Sequence, residues 1–125
     1  MTNKALRILI ADEQHFHRMK IERLFNQLGY YRVAPVQSLA EMLNLVEYGC
    51  EPFDLVVINA SLAEGSLDLS GFFRDNHQVH HALIYDDHAA LPDLAAIRRL
   101  MARIDLSVYE AAPLLDHERS RRRIG

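Results

Sequence analysis

The chain reads as an α/β protein, a parallel sheet covered by helices on both faces and built from a β-α unit repeated five times. Three observations predict this. Short apolar segments of strand length recur along the 125 residues. Most of them lack the polar alternation of a sheet with one wet face, so both faces are expected to be covered. Stretches with helical spacing separate them, joined by connections of a few residues, and right-handed crossovers turn such an order into a parallel sheet.

The strand segments are "LRILIA" at 6–11, "YRVAPV" at 31–36, "DLVVIN" at 54–59, "HALIYD" at 81–86 and "LSVYE" at 106–110. Between them Ile21, Leu24, Phe25 and Leu28 repeat at i, i+3, i+4 and i+7, and Gly29 stops the pattern. Leu39, Met42, Leu43 and Val46 repeat that spacing between Gly49 and a Ser38–Glu41 pair with capping-box separation. Leu69, Phe72 and Phe73 form a shorter third stripe. Ile97, Leu100, Met101 and Ile104 form a fourth, with Pro92 near its first turn. All four stripes are read as core. After Pro113, Leu114 and Leu115 no apolar residue follows until Ile124, so residues 113–125 are expected to be a weak fifth helix or a basic tail. That tail could lead into a further domain, with residues 1–112 as the main one.

Half the residues are hydrophobic and a quarter charged, which suits one globular domain with one core. The net charge of -3 gives no general reason to expect nucleic-acid or membrane binding. Arg119, Arg121, Arg122 and Arg123 cluster at the end, without the aromatic partners of a nucleic-acid surface. No apolar run approaches the roughly 20 residues needed to span a bilayer, and acidic residues come too early for a signal peptide. The single cysteine, Cys50, excludes an internal disulfide framework and fits a cytoplasmic setting.

Ligands of open α/β sheets bind beyond the carboxyl ends of the strands. That rule selects Asp12 and Glu13 after the first strand, Asn59 after the third, Asp86, Asp87 and His88 after the fourth, and Tyr109 or Glu110 after the fifth. Adjacent acids at a strand end suit a cation such as Mg²⁺.

At these residues the chain resembles the receiver domain of bacterial two-component response regulators. "ILIADEQHFHRMKIERLF" is similar to that family's first strand, acidic pair and first helix, and "DLVVIN" to its third strand. The resemblance spans roughly residues 5 to 112. It implies a flavodoxin-like (βα)5 fold with strand order 2-1-3-4-5. It also implies a mechanism in which two acids hold Mg²⁺ and an aspartate ending the third strand takes a phosphoryl group. A Thr or Ser on the fourth strand and a lysine on the fifth would complete the set.

The match is incomplete where the chemistry lies. Asp12 and Glu13 fit the acids, but Asn59 stands at the phospho-acceptor position and Asp86 at the hydroxyl position. The only lysines are Lys4 and Lys20, far from the fifth strand, and Ala63 replaces the proline of the family's loop. An amide nitrogen has its lone pair delocalised and cannot form an acyl phosphate. The expected site is therefore a degenerate acidic pocket of Asp12, Glu13, Asp86 and Asp87 around Asn59. Either a Mg²⁺ ion sits on Asp12, Glu13 and the Asn59 carbonyl, or the Asn59 NH₂ donates to Asp12 or Glu13. No cofactor is required.

Seven histidines are an unusual number. His77, His80 and His81 precede the fourth strand and read as surface residues rather than a zinc set. His15, His17 and His88 lie near the acidic rim, where protonation could report pH.

The functional expectation is a phosphorylation-independent signalling and protein-interaction module, not an enzyme. A protein partner or second copy would meet the face of helix 4, strand 5 and helix 5, including Leu91, Leu94, Arg98, Arg99, Tyr109 and Glu110. An active phosphoreceiver using Asp86 or Asp87 is the first alternative. A small flavodoxin-like ligand-binding domain is the second, although no Gly-rich phosphate loop follows the first strand.

Overall fold

A computed structural model describes residues 5–87 and 90–116, with 106–116 described by backbone alone. Strands β1 (Ile8–Ala11), β2 (Val33–Val36), β3 (Leu55–Asn59) and β4 (Ala82–Tyr85) alternate with helices α1 (His15–Gln27), α2 (Leu39–Tyr48), α3 (Leu69–Asp75) and α4 (Leu94–Asp116). A short 3-10 turn at Ala60–Ala63 follows β3. All strand pairs are parallel, in the order β2-β1-β3-β4. Among the described residues no helix is long and apolar enough to cross a membrane.

The strand parity sorts the core into two layers. Ile8 and Ile10 of β1 and Leu55 and Val57 of β3 face one side, where Ile21 and Phe25 of α1 meet Ile97, Met101 and Ile104 of α4. Leu9, Val56 and Ile58 face the other, against Met42 and Val46 of α2 and Leu69 and Phe73 of α3. β1 and β3 are buried at every position, as near-continuous apolar strands should be. Each such side chain contributes about 1.5–3 kcal/mol by leaving water.

Sequence dictates the helix ends. α1 stops in a Schellman turn, in which Tyr30 N–H donates to Phe25 O at 3.0 Å and Gly29 N–H to Asn26 O at 3.0 Å. Gly29 takes φ 96°, which a residue with a Cβ avoids, and the Phe25 and Tyr30 rings close the turn edge to face. At α2 the Ser38 hydroxyl accepts from Glu41 N–H at 3.2 Å, and the Glu41 carboxylate accepts from Gln37 N–H at 2.9 Å. Ser38→Ala is expected to cost about 1 kcal/mol, read from the midpoint of urea unfolding. Asp93 opens α4 by accepting from Ala96 N–H at 2.8 Å, with Pro92 just before it.

One predicted element is corrected. Residues 106–110 continue α4 as helix, so the described sheet has four strands rather than five. No Gly, Pro or Asn separates Ile104 from Leu106, and the spacing Ile97, Met101, Ile104, Val108 runs on without a break. A crossover to a further strand would also need α4 beside α3, whereas α4 packs beside α1. Among the described residues the expected face of helix 4, strand 5 and helix 5 therefore does not form as such. Leu94 is half-buried and Arg98 exposed on α4, Tyr109 and Glu110 are on the α4 backbone, and residues 113–116 extend that helix. His88 and the arginines after residue 116 lie outside the described residues.

Candidate functional site

Register and parity assemble the site. Ala11 lies opposite Ile58, so Asp12 is one step beyond β1 at the level of Asn59, and Asn59 itself pairs with Tyr85. Asp12, Asn59 and Tyr85 share the parity of Ile10, Val57 and Leu83, which places all three at the carboxyl end on the α1 and α4 side. Asp12 and Asn59 are each only 1% exposed, the two buried polar residues among those described, beside an apolar core.

The Asp12 carboxylate accepts four hydrogen bonds. Its Oδ1 takes Gln14 N–H at 2.9 Å. Its Oδ2 takes the Tyr85 hydroxyl at 2.5 Å and Asn59 Nδ2 at 3.1 Å, and lies 2.9 Å from His17 Nδ1. Asn59 Nδ2 also donates to Asp87 Oδ1 at 2.7 Å, while Asn59 Oδ1 accepts from Ser61 N–H at 3.0 Å and caps the 3-10 turn. The amide thus uses both ends, one to start a turn and one to tie two carboxylates together. Arg18 donates from one nitrogen to the backbone oxygens of Asp12 and Glu13, at 2.8 and 3.0 Å, and so fixes the loop after β1.

Burial alone would push the Asp12 carboxyl up. The bonds from Tyr85, Gln14 N–H, Asn59 and His17 outweigh it and hold Asp12 below the usual carboxylate value. The Tyr85 phenol is raised, first by burial, then by the bond it donates to Asp12 and by the charges of Asp12 and Asp87. It stays a protonated donor. Tyr85→Phe is expected to cost about 1.5–3 kcal/mol in urea unfolding, the value of a hydrogen bond to a charged group. The same substitution should bring the Asp12 pKa back up toward the ordinary range, followed by NMR titration.

The predicted residues divide. Asp12, Asn59 and Asp87 come together. Glu13 and Asp86 are exposed and belong to neither the Asp12 nor the Asn59 set of partners. Residue 86 has the opposite parity to Tyr85, and it is Tyr85, not Asp86, that stands opposite Asn59. Tyr85 and Arg18 were missed as site residues. Counting the strand register from Asn59 would have found the tyrosine.

His17 is drawn in from α1, whereas His15 is exposed and approaches Arg18 at 3.4 Å. His77 is exposed on a turn, and His80 approaches Asp54 at 3.3 Å. The His81 imidazole is lowered by burial and by His80 beside it.

This donor set does not fit the Mg²⁺ ion that a receiver fold implies. Protein donors already occupy both Asp12 oxygens, the Asn59 carbonyl is turned to Ser61, and Glu13 is exposed and bonded to none of the cluster. A hydrated divalent cation needs oxygen ligands that face a common point. Asn59 offers no nucleophile, and among the described residues no lysine joins the cluster. No protein-family model matches the chain, and no curated protein or solved structure matches it.

Proposed function

We propose that this is a degenerate receiver domain of the two-component response-regulator type, a non-enzymatic module that signals in the cytoplasm by binding a protein partner. The observation that carries this reading is the Asn59 side chain. It sits at the end of β3, in the middle of the sheet, and its NH₂ group bridges Asp12 and Asp87 where a receiver would hold phosphate and metal. The internal bridge does by hydrogen bonding what neutralisation by a cation does elsewhere, so the carboxylates need no ligand to coexist. The parallel α/β fold and the acidic residue after β1 support the same family. With α4 on the α1 face, a partner would be met through α4 and the outer side of β4.

An active phosphoreceiver using Asp86 or Asp87 is the second reading, because both carboxylates are exposed at the carboxyl end of the sheet. Acetyl phosphate or beryllofluoride with Mg²⁺, followed by intact mass and ¹⁹F NMR, separates the two. No added mass and no bound fluoride signal is the expected result. A stable Mg²⁺-dependent adduct would overturn the interaction-module reading.

A further inference from the structure

β4 closes one side of the sheet, and among the described residues no strand pairs with its outer edge. Val56 N–H donates to His81 O at 2.9 Å, which turns residues 81, 83 and 85 toward β3. In a parallel ladder the N–H and C=O of Ala82 and Ile84 then point outward. No hydrogen bond among the described residues reaches them. Edge strands are commonly guarded by a charge, a proline, a bulge or a covering element. Here the two outward residues are Ala82 and Ile84, both exposed, Ile84 by 37%.

Along this edge a groove of about 720 Å³ runs between β4 and α4, with Leu83, Tyr85 and Leu100 on its apolar floor and Arg99 and Arg103 on its rim. Arg98, Arg99 and Arg103 are exposed and take part in no ion pair among the described residues. We propose that the outer edge of β4 is the docking site for an extended acidic segment of a partner protein, which joins the sheet as a fifth strand and sets its carboxylates against Arg99 and Arg103. The backbone groups of Ala82 and Ile84 fix its register. The two-residue period of the added strand puts every second side chain over the groove, where the acidic residues meet Arg99 and Arg103. The inference rests on the interaction-module reading and names its partner.

Two other occupants fit less well. A second copy paired edge to edge about Leu83 would bring Arg99 and Arg103 of the two α4 helices together, like charge on like charge. Residues 106–110 of the same chain, returning from α4 on the α1 face, would make a crossover of the opposite hand to β3-α3-β4.

The test uses the full 125-residue chain, ¹⁵N-labelled, with a capped synthetic peptide that alternates valine and glutamate, and a twin with lysine for glutamate. The glutamate peptide should slow amide exchange of Ala82 and Ile84 by about tenfold or more. The lysine twin should not bind. The double variant Arg99→Glu, Arg103→Glu should weaken binding by about tenfold. Ile84→Pro should abolish it while leaving the β3 ladder intact, since the lost N–H faces outward.

Absence of binding at millimolar peptide, equal binding of the lysine twin, or binding that leaves both amides unprotected would each overturn the proposal. Protection that grows with protein concentration in the absence of peptide would overturn it in favour of a second copy. Acetyl phosphate plays no part in these arms, so failure here removes the docking site and leaves the module reading standing, whereas a phosphoryl adduct removes the module reading on which the docking site rests.

Discussion

Asp12→Ala is expected to cost about 3–5 kcal/mol, the range for removing one side of a buried, hydrogen-bonded charge. The substitution strips the partner from the Tyr85 hydroxyl, the Gln14 N–H and one arm of the Asn59 amide at once, all close to a site 1% exposed. Urea unfolding measures it, as a lower midpoint with an unchanged slope. The same group sets the acid limit of the native protein. Because the folded pKa of Asp12 is depressed, its contribution is complete above the ordinary carboxylate value of 3.8 and is lost as pH falls through the lower folded value. The acid limb of the stability curve should therefore flatten in Asp12→Ala. An unchanged midpoint in that variant would mean that the four bonds to Asp12 contribute nothing net.

Restoring the acid at position 59 should destabilise rather than repair. In Asn59→Asp the cap on Ser61 N–H survives, but the other oxygen replaces a donor 3.1 Å from Asp12 Oδ2 and 2.7 Å from Asp87 Oδ1. Three carboxylates then meet at one corner, two of them on buried positions, and we expect a loss of about 3 kcal/mol at neutral pH, comparable to leaving a buried charge unpaired. The pH dependence should invert. The new carboxyl has its folded pKa raised by burial and by its neighbours, so the penalty is present at neutral pH and relieved as pH falls through that raised value. Urea unfolding at several pH values checks this. Recovery on adding Mg²⁺ would show that the pocket opens to a cation once the amide is gone.

Much of this fold was legible because its signals are local. The apolar runs of β1 and β3, the glycine after α1 and the Ser38–Glu41 cap all act within a few residues, and each appears where the sequence put it. Asn59 was legible as well, since a polar residue ending an apolar strand must serve a pocket. The fifth strand was misread for a physical reason. "LSVYE" has strand composition, but nothing ahead of it stops α4, and a helix with a packed face continues until a residue breaks it. Tyr85 was missed because its role depends on register between β3 and β4, a long-range property that composition does not carry. Reading the fourth strand one residue too late placed Asp86 in the pocket and overlooked the phenol beside it. His17 could be placed near the rim, yet its 2.9 Å approach to Asp12 depends on the angle at which α1 leaves the loop.

The position of β1 has a kinetic consequence. It pairs with β2 and with β3, so Ile8 must find Leu55 across the whole of α1 and α2 before the centre of the sheet exists. Parallel pairing leaves no hairpin to begin from, and the entropy of closing such loops is spent before the contacts return it. β4 and α4 attach only to that finished centre. Their detachment as a unit would take Tyr85 and Asp87 from the pocket together and leave Asp12 and Asn59 to each other, with His17 and the loop amide still in place. Any opening that frees β4 from β3 is therefore also an opening of the polar cluster.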